Sequence, residues 1–190
     1  MGHATLACMT RSTRLFCITA LLSGLFLLPA SAQTPNKGQI GLGADIGALF
    51  PDEALEKTFT FDMFGEYYLA PRASVRAMFS YASPGFENRT EDHFRQSRLL
   101  FNGVYNWEFG VWHPFATMGA GVYFVRELLD DRNDPDGETR GGINFGGGIE
   151  YFVGSNATVK GEARWDVVSH PEGFSDATGF TLTIGYKRYF

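Results

Sequence analysis

Residues 178–190, T-G-F-T-L-T-I-G-Y-K-R-Y-F, limit what this chain can fold into more than any other stretch. Phe180, Leu182, Ile184 and Tyr186 alternate with Thr181, Thr183, Gly185 and Lys187. A period of two gives an extended strand one apolar face and one small or polar face. The stretch ends on an aromatic ring, Phe190. A soluble domain has little reason to finish on a long amphipathic strand with a terminal Phe. A barrel that pairs its last strand with its first, and turns the apolar face to lipid, has a good one.

The same period recurs upstream. Residues 39–50 set Ile40, Leu42, Ala44, Ile46 and Ala48 against Gly41, Gly43, Asp45 and Gly47. Residues 59–69 set Phe59, Phe61, Met63, Tyr67 and Leu69 against Thr60, Asp62, Phe64, Glu66 and Tyr68. Further strands are expected at 73–81, 94–105, 114–126, 142–153 and 157–167, which makes eight with 178–190. The connections alternate in length. Those after the first, third, fifth and seventh strands are long and polar. The one after the second is the tight Ala70-Pro71-Arg72 turn, where proline presets the backbone. Long loops at one end and short turns at the other are the rule for transmembrane barrels, and an even strand number puts both termini at the short-turn end.

Residues 1–32 are expected to lie outside this fold. Arg11 and Arg14 precede an apolar run from Leu15 to Leu28, and Ala30-Ser31-Ala32 is a small-x-small cleavage site. That is a secretory signal peptide, too short in its apolar part to span a bilayer. Residues 33–38 then form a short polar lead-in and 39–190 the barrel domain. Loss of Arg11 and Arg14 takes the net charge from −5 to −7, and both cysteines, Cys8 and Cys17, leave with the segment. Neither disulfides nor thiolate metal sites are expected, and an acidic chain without a basic run gives no footing for nucleic acid.

Alternation alone does not say whether the apolar face points out to lipid or in to a soluble core. Three features favour lipid. Gly41, Gly43, Gly47, Gly119, Gly121, Gly146, Gly148 and Gly185 crowd the polar face. A narrow eight-stranded lumen demands such small residues, whereas a solvated face would only lose strand stability to them. Tyr and Trp gather near strand ends, where their rings suit headgroups. The terminal Phe190 is the third feature.

With the polar face inward, the acids Asp45, Asp62, Glu66, Glu150, Glu162 and Asp166 stand against the bases Arg76, Arg98, Lys160, Arg164 and Lys187. Buried charges must pair, and this near-balance favours a plugged core of ion pairs over a permeant pore. Glu66 and Arg76 lie equally far from Pro71 on adjacent strands, so they are expected to be neighbours.

The segments N-W-E-F-G, H-P-F-A-T-M-G-A-G-V-Y-F, F-G-G-G-I-E-Y-F and the closing L-T-I-G-Y-K-R-Y-F resemble the small outer-membrane β-barrel domains, the broad group of OmpA-like, OmpX/Ail-type and opacity proteins. The resemblance covers 39–190. It implies an all-β, eight-stranded antiparallel up-and-down transmembrane barrel in the outer membrane of a Gram-negative bacterium. It also implies insertion by machinery that reads the C-terminal strand, here through Tyr186 and Phe190, although Arg188 stands where the group usually has an apolar residue. No peptidoglycan-binding domain is expected after the barrel.

Some barrels of this size modify lipid A. The one nucleophile–base–acid cluster here, Ser169-His170 with Glu172, lies in an outer loop and does not match the His-x-Ser-Asn pattern of the lipid A deacylases. The acidic loop 130–138 falls short of a calcium site, because an EF-hand register places Arg132 and Ile143 at ligand positions. The expectation is therefore a non-catalytic barrel with no cofactor and no metal. Its partners would be outer-membrane lipid and lipopolysaccharide, the insertion machinery, and host or surface ligands of the outer loops. The alternatives are a narrow porin-like channel, a lipid A-modifying enzyme and a soluble periplasmic β-barrel.

Overall fold

A computed structural model describes residues 34–52, 56–83, 85–86, 89–128, 138–169 and 178–190, with backbone alone at 85–86, 89–94 and 127–128. All belong to one compact unit, Ser31–Phe190. Eight long strands carry the chain: β1 (Ile40–Pro51), β2 (Thr58–Ala70), β3 (Ala73–Ala82), β4 (Arg89–Asn106), β5 (Trp112–Leu128), β6 (Glu138–Phe152), β7 (Ala157–Val168) and β8 (Gly179–Tyr189). A two-residue piece, Gly85–Phe86, folds back on the start of β4.

Each strand pairs antiparallel with the next, and β8 returns to β1, with Gly41 opposite Tyr189 and Pro51 opposite Gly179. The sheet therefore closes on itself and has no free edge, the condition for a sheet to cross a membrane. The short connections, 71–72, 107–111 and 153–156, share one end with the chain's last residue. Gly110 sits there at φ 64°, in the left-handed region that glycine enters without a Cβ penalty. A register shift between Tyr68 and Ala70 tightens the Pro71 turn.

Burial alternates residue by residue along the strands. On β2, Thr60, Asp62, Phe64, Glu66 and Tyr68 are buried, while Phe59, Met63, Tyr67 and Leu69 are exposed. The exposed set on the other strands is again apolar, including Leu42, Ile46, Phe101, Met118, Ile143, Phe145, Leu182 and Ile184. The buried set is largely polar and charged. That inversion of a water-soluble protein is the signature of a transmembrane barrel, whose solvent is lipid. Outward residues of β1 run from Ile40 to Phe50. At about 3.4 Å per residue and a tilt near 40°, they cover about 26 Å, close to the apolar thickness of an outer-membrane barrel.

Aromatic rings mark both rims. At the short-turn end, Tyr105 meets Trp107 edge-on at 5.2 Å and Trp112 meets Tyr151 at 4.6 Å. At the other end Phe180 lies 6.2 Å from Phe50 and 6.1 Å from Trp165.

The strand ends differ from the sequence reading in one region. β4 starts at Arg89 instead of 94, β5 runs from Trp112 to Leu128, and β6 starts at Glu138 instead of 142. These extensions are hydrophilic. The backbone ladder continues past the apolar band, with His93 opposite Leu128 and Val125 opposite Glu138, where no lipid imposes an alternating pattern. Among the described residues, the ladder of β4, β5 and β6 therefore extends past the apolar band.

Candidate functional site

The lumen is the site that the fold builds, and its side chains arrive there by strand parity alone. At the short-turn end it is floored by rings. Phe152 and Tyr189 stack at 5.6 Å with 8° between their planes, Tyr68 lies 5.8 Å from Tyr189, and His113 lies 4.7 Å from Phe152. Gly110 anchors the His113 ring through its carbonyl, 3.1 Å from Nε2.

Above this floor the Lys187 ammonium donates to Glu150 Oε1 at 2.7 Å and Tyr68 Oη at 2.9 Å, and reaches Glu66 Oε2 at 3.3 Å. Tyr189 Oη donates to the other Glu150 oxygen at 3.0 Å. Glu66 and Arg76 are directly opposed on β2 and β3, with Arg76 Nη2 3.0 Å from Glu66 Oε2. Ser74 Oγ donates to Oε1 of the same carboxylate at 2.5 Å.

Arg76 then spans the lumen. Its Nη1 donates to Glu162 Oε2 at 2.7 Å, and its guanidinium sits 5.0 Å from the Phe64 ring centre and 5.4 Å from that of Phe115. Lys160 donates to the same Glu162 oxygen at 2.7 Å and approaches Asp45 Oδ2 at 2.8 Å. Neither Asp45 oxygen accepts a well-aligned hydrogen bond, so this last contact is one of charge more than of direction.

Towards the long-loop end, Arg164 holds Asp62 Oδ2 at 3.3 Å and lies 3.8 Å from Glu162 and 3.6 Å from Asp166. Arg98 donates to Asp166 Oδ2 at 2.7 Å, and Tyr123 Oη donates to Oδ1 at 2.9 Å. Ser80 completes Asp62 at 2.5 Å. A neutral cluster, Asn102 with Asn144 at 2.6 Å and Thr117 at 3.1 Å, fills the space on β4 to β6.

Asp45, Asp62, Glu66, Arg76, Arg98, Glu150, Lys160, Glu162, Arg164, Asp166 and Lys187 are thus all inside, none more than 2% exposed. Ion contacts of 4.0 Å or less join all of them into one network. Bringing such groups out of water is costly, and only dense mutual pairing with added hydrogen bonds offsets it.

The wall beside the bulky groups is thin, with Gly185 the ladder partner of Asp45 and Gly148 that of Phe115. A Cβ on Gly185 would overlap Asp45 Oδ1, and one on Gly148 would meet both the Gly161 carbonyl and, at 2.8 Å, Phe115 Cζ. Glycine on the polar face makes room for charges and rings projecting from other strands.

Three inward groups escape sequence reasoning. Arg140 falls between the strands expected at 114–126 and 142–153, yet it is buried and contacts Glu138. His113 precedes the strand expected at 114–126, yet stepping the alternation of β5 back from Phe115 turns it inward, where it is buried. The ring floor at Tyr189 and Phe152 depends on which strands face one another across the lumen, which no local pattern records.

Tyr186 and Phe190 both point outward, 48% and 67% exposed. Phe190 is bonded to Ile40 through both backbone directions, at 2.8 and 3.4 Å. The Arg188 guanidinium lies 5.5 Å from the Phe190 ring centre.

Of the other candidates, Ser169 Oγ donates to the Gly141 carbonyl at 2.8 Å, while His170, Glu172 and residues 130–137 lie outside the described residues. Among the described residues no group of three His, Cys, Asp or Glu could hold a metal ion.

Comparison with known proteins follows the same line. The profile of a family described as "Outer membrane protein beta-barrel domain" matches residues 17–188. The fold is similar to that of Neisserial surface protein A, at TM-score 0.62 and 13% identity over 80% of this chain and 96% of that one. It is similar to the outer membrane protein OprG of Pseudomonas aeruginosa, at TM-score 0.63 and 11% identity over 82% and 97%. It is also similar to Ail, the attachment invasion locus protein of Yersinia pestis, at 0.52 and 15% over 81% and 99%. No curated protein sequence matches the chain.

Proposed function

This chain belongs to the outer membrane protein beta-barrel domain family, and from that premise we propose that it is a non-catalytic barrel with a plugged lumen, whose long loops serve a structural, adhesive or surface-recognition role. One observation carries the proposal: the connected ion network runs from Glu150 near the ring floor to Arg98 near the long-loop rim. Its carboxylates and cations are engaged with one another, so the lumen is organised as a core and not as a conduit.

On this reading residues 1–32 direct export and are removed, so the mature protein begins at Gln33. The long loops face the cell exterior and the short turns the periplasm. The insertion machinery reads the last strand through Tyr186 and Phe190. The outward face contacts outer-membrane lipid and lipopolysaccharide, and the long loops meet any host or surface ligand.

The test is a planar bilayer recording of the purified, folded protein. We expect no steady conductance, and a stable single-channel current would overturn the plugged lumen in favour of a narrow porin-like channel. Fractionation separates the soluble alternative: the protein should sediment with outer membranes and show heat-modifiable gel migration, whereas a purely soluble periplasmic pool would end the proposal.

A further inference from the structure

The outward face of the barrel carries a pair of directly opposed like charges. Arg95 on β4 and Arg126 on β5 are directly opposite each other in the ladder, and both are outward and exposed. Like charges at opposed positions destabilise a strand pair unless something lies between them. Among the described residues no carboxylate lies within 4.0 Å of either guanidinium. Glu138, which borders the same groove, is taken by Arg140.

The setting is specific. One row closer to the membrane core the outward residues are Tyr81, Ser97, Phe124 and Thr139, consecutive across β3 to β6. Below them come Phe79, Leu99 and Val122. The arginines therefore stand just beyond an aromatic and hydroxyl row that caps the apolar band, at the headgroup level of the long-loop end. A groove of about 410 Å³ lies here, lined by Tyr81, Arg95, Ser97, Phe124, Arg126 and Thr139, with Val125 and Glu138.

We propose that Arg95 and Arg126 form a clamp on the barrel's outer wall for a phosphate of a lipid headgroup in the outer leaflet. A phosphate bridging two guanidiniums offers each a charge-assisted, bidentate partner and removes their repulsion. The hydroxyls of Ser97 and Thr139 face the polar side of such a headgroup, and the Phe124 and Tyr81 rings its apolar side. This deepens the proposed reading and rests on its orientation, in which the long-loop end meets the lipopolysaccharide leaflet.

The experiment uses the folded protein in micelles, titrated with diphosphorylated lipid A, with dephosphorylated lipid A and with inorganic phosphate, and read by native mass spectrometry. The wild type should retain diphosphorylated lipid A, and Arg95→Gln/Arg126→Gln should bind it about tenfold more weakly. Arg72→Gln, which removes an exposed charge at the opposite end, should bind as the wild type does. Equal binding by the double variant, equal binding of dephosphorylated lipid A, or full displacement by inorganic phosphate would each overturn the clamp. Should the double variant fail to fold, Arg126→Gln alone decides: weaker binding supports the clamp and unchanged binding overturns it. A wild type with no heat-modifiable form would overturn the barrel reading itself. A heat-modifiable wild type indifferent to the phosphates overturns the clamp alone.

Discussion

Asp45 shows what a single residue experiences in this lumen. Its carboxylate is buried, faces the Lys160 ammonium, and occupies volume that a side chain at position 185 would claim. Gly185→Ala should therefore destabilise the barrel by about 1–3 kcal/mol, the usual cost of overpacking, read from the unfolding midpoint in detergent or lipid. Arg76 is the sharper case, since it joins Glu66 on one side to Glu162 on the other. Arg76→Met should cost about 3–5 kcal/mol, because carboxylates lose a partner in a place water does not reach. A change below about 1 kcal/mol would mean the network behaves like a solvated surface. At this scale the sequence shows which face a residue takes, because parity decides it. It does not show partners that lie across the lumen. Glu66 and Arg76 are the exception, since a two-residue turn fixes their register.

At the scale of the element, the closing strand β8 carries the most information. Its outward Ile184 is 60% exposed and paired with Ile46 on β1, mid-way along the apolar band. Ile184→Arg should cost about 2–4 kcal/mol, the depth-dependent price of a charge near the bilayer midplane, measured by unfolding in lipid. An unchanged midpoint would contradict the lipid-facing assignment. Phe190→Ala acts differently. The ring packs on the rim beside Arg188 and is not part of the lumen, so refolding into micelles should be unaffected while the amount in the outer membrane falls. Strand existence was legible from periodicity, and strand ends were legible wherever lipid enforces the period. The ends of β4, β5 and β6 beyond the membrane were not. Polar residues there continue the backbone ladder, and no lipid selects an alternating side-chain type.

For the whole molecule, stability is expected to be shared between two shells that fail independently. The outer shell is apolar contact with lipid and the closed hydrogen-bond ladder. The inner shell is the ion network. Raising ionic strength screens exposed charges but not buried ones, so the unfolding midpoint in micelles should be insensitive to salt between about 0.1 and 1 M. A steep salt dependence would mean that water enters the lumen. The closed architecture was legible from the count and alternation of strands, together with the long-short rhythm of the connections. The filling of the interior was legible as a near-balance of charges and a set of glycines. Its geometry was not, because the glycines and the groups they accommodate come from different strands.

The seam between β1 and β8 has a further consequence. Ile40 and Phe190 are hydrogen-bonded partners, so the chain's first and last barrel residues lie side by side, and the cut between them is one of several equivalent places to open the ring. A circularly permuted chain, joined there by a short linker and reopened between Pro71 and Arg72, keeps every ladder pairing and every lumenal contact. It should refold in micelles with the same heat-modifiable migration, yet reach the outer membrane of cells poorly, since Phe190 would no longer end it. On the proposed reading, such a chain would separate the information for shape from the address for delivery, both of which that reading assigns to the last strand.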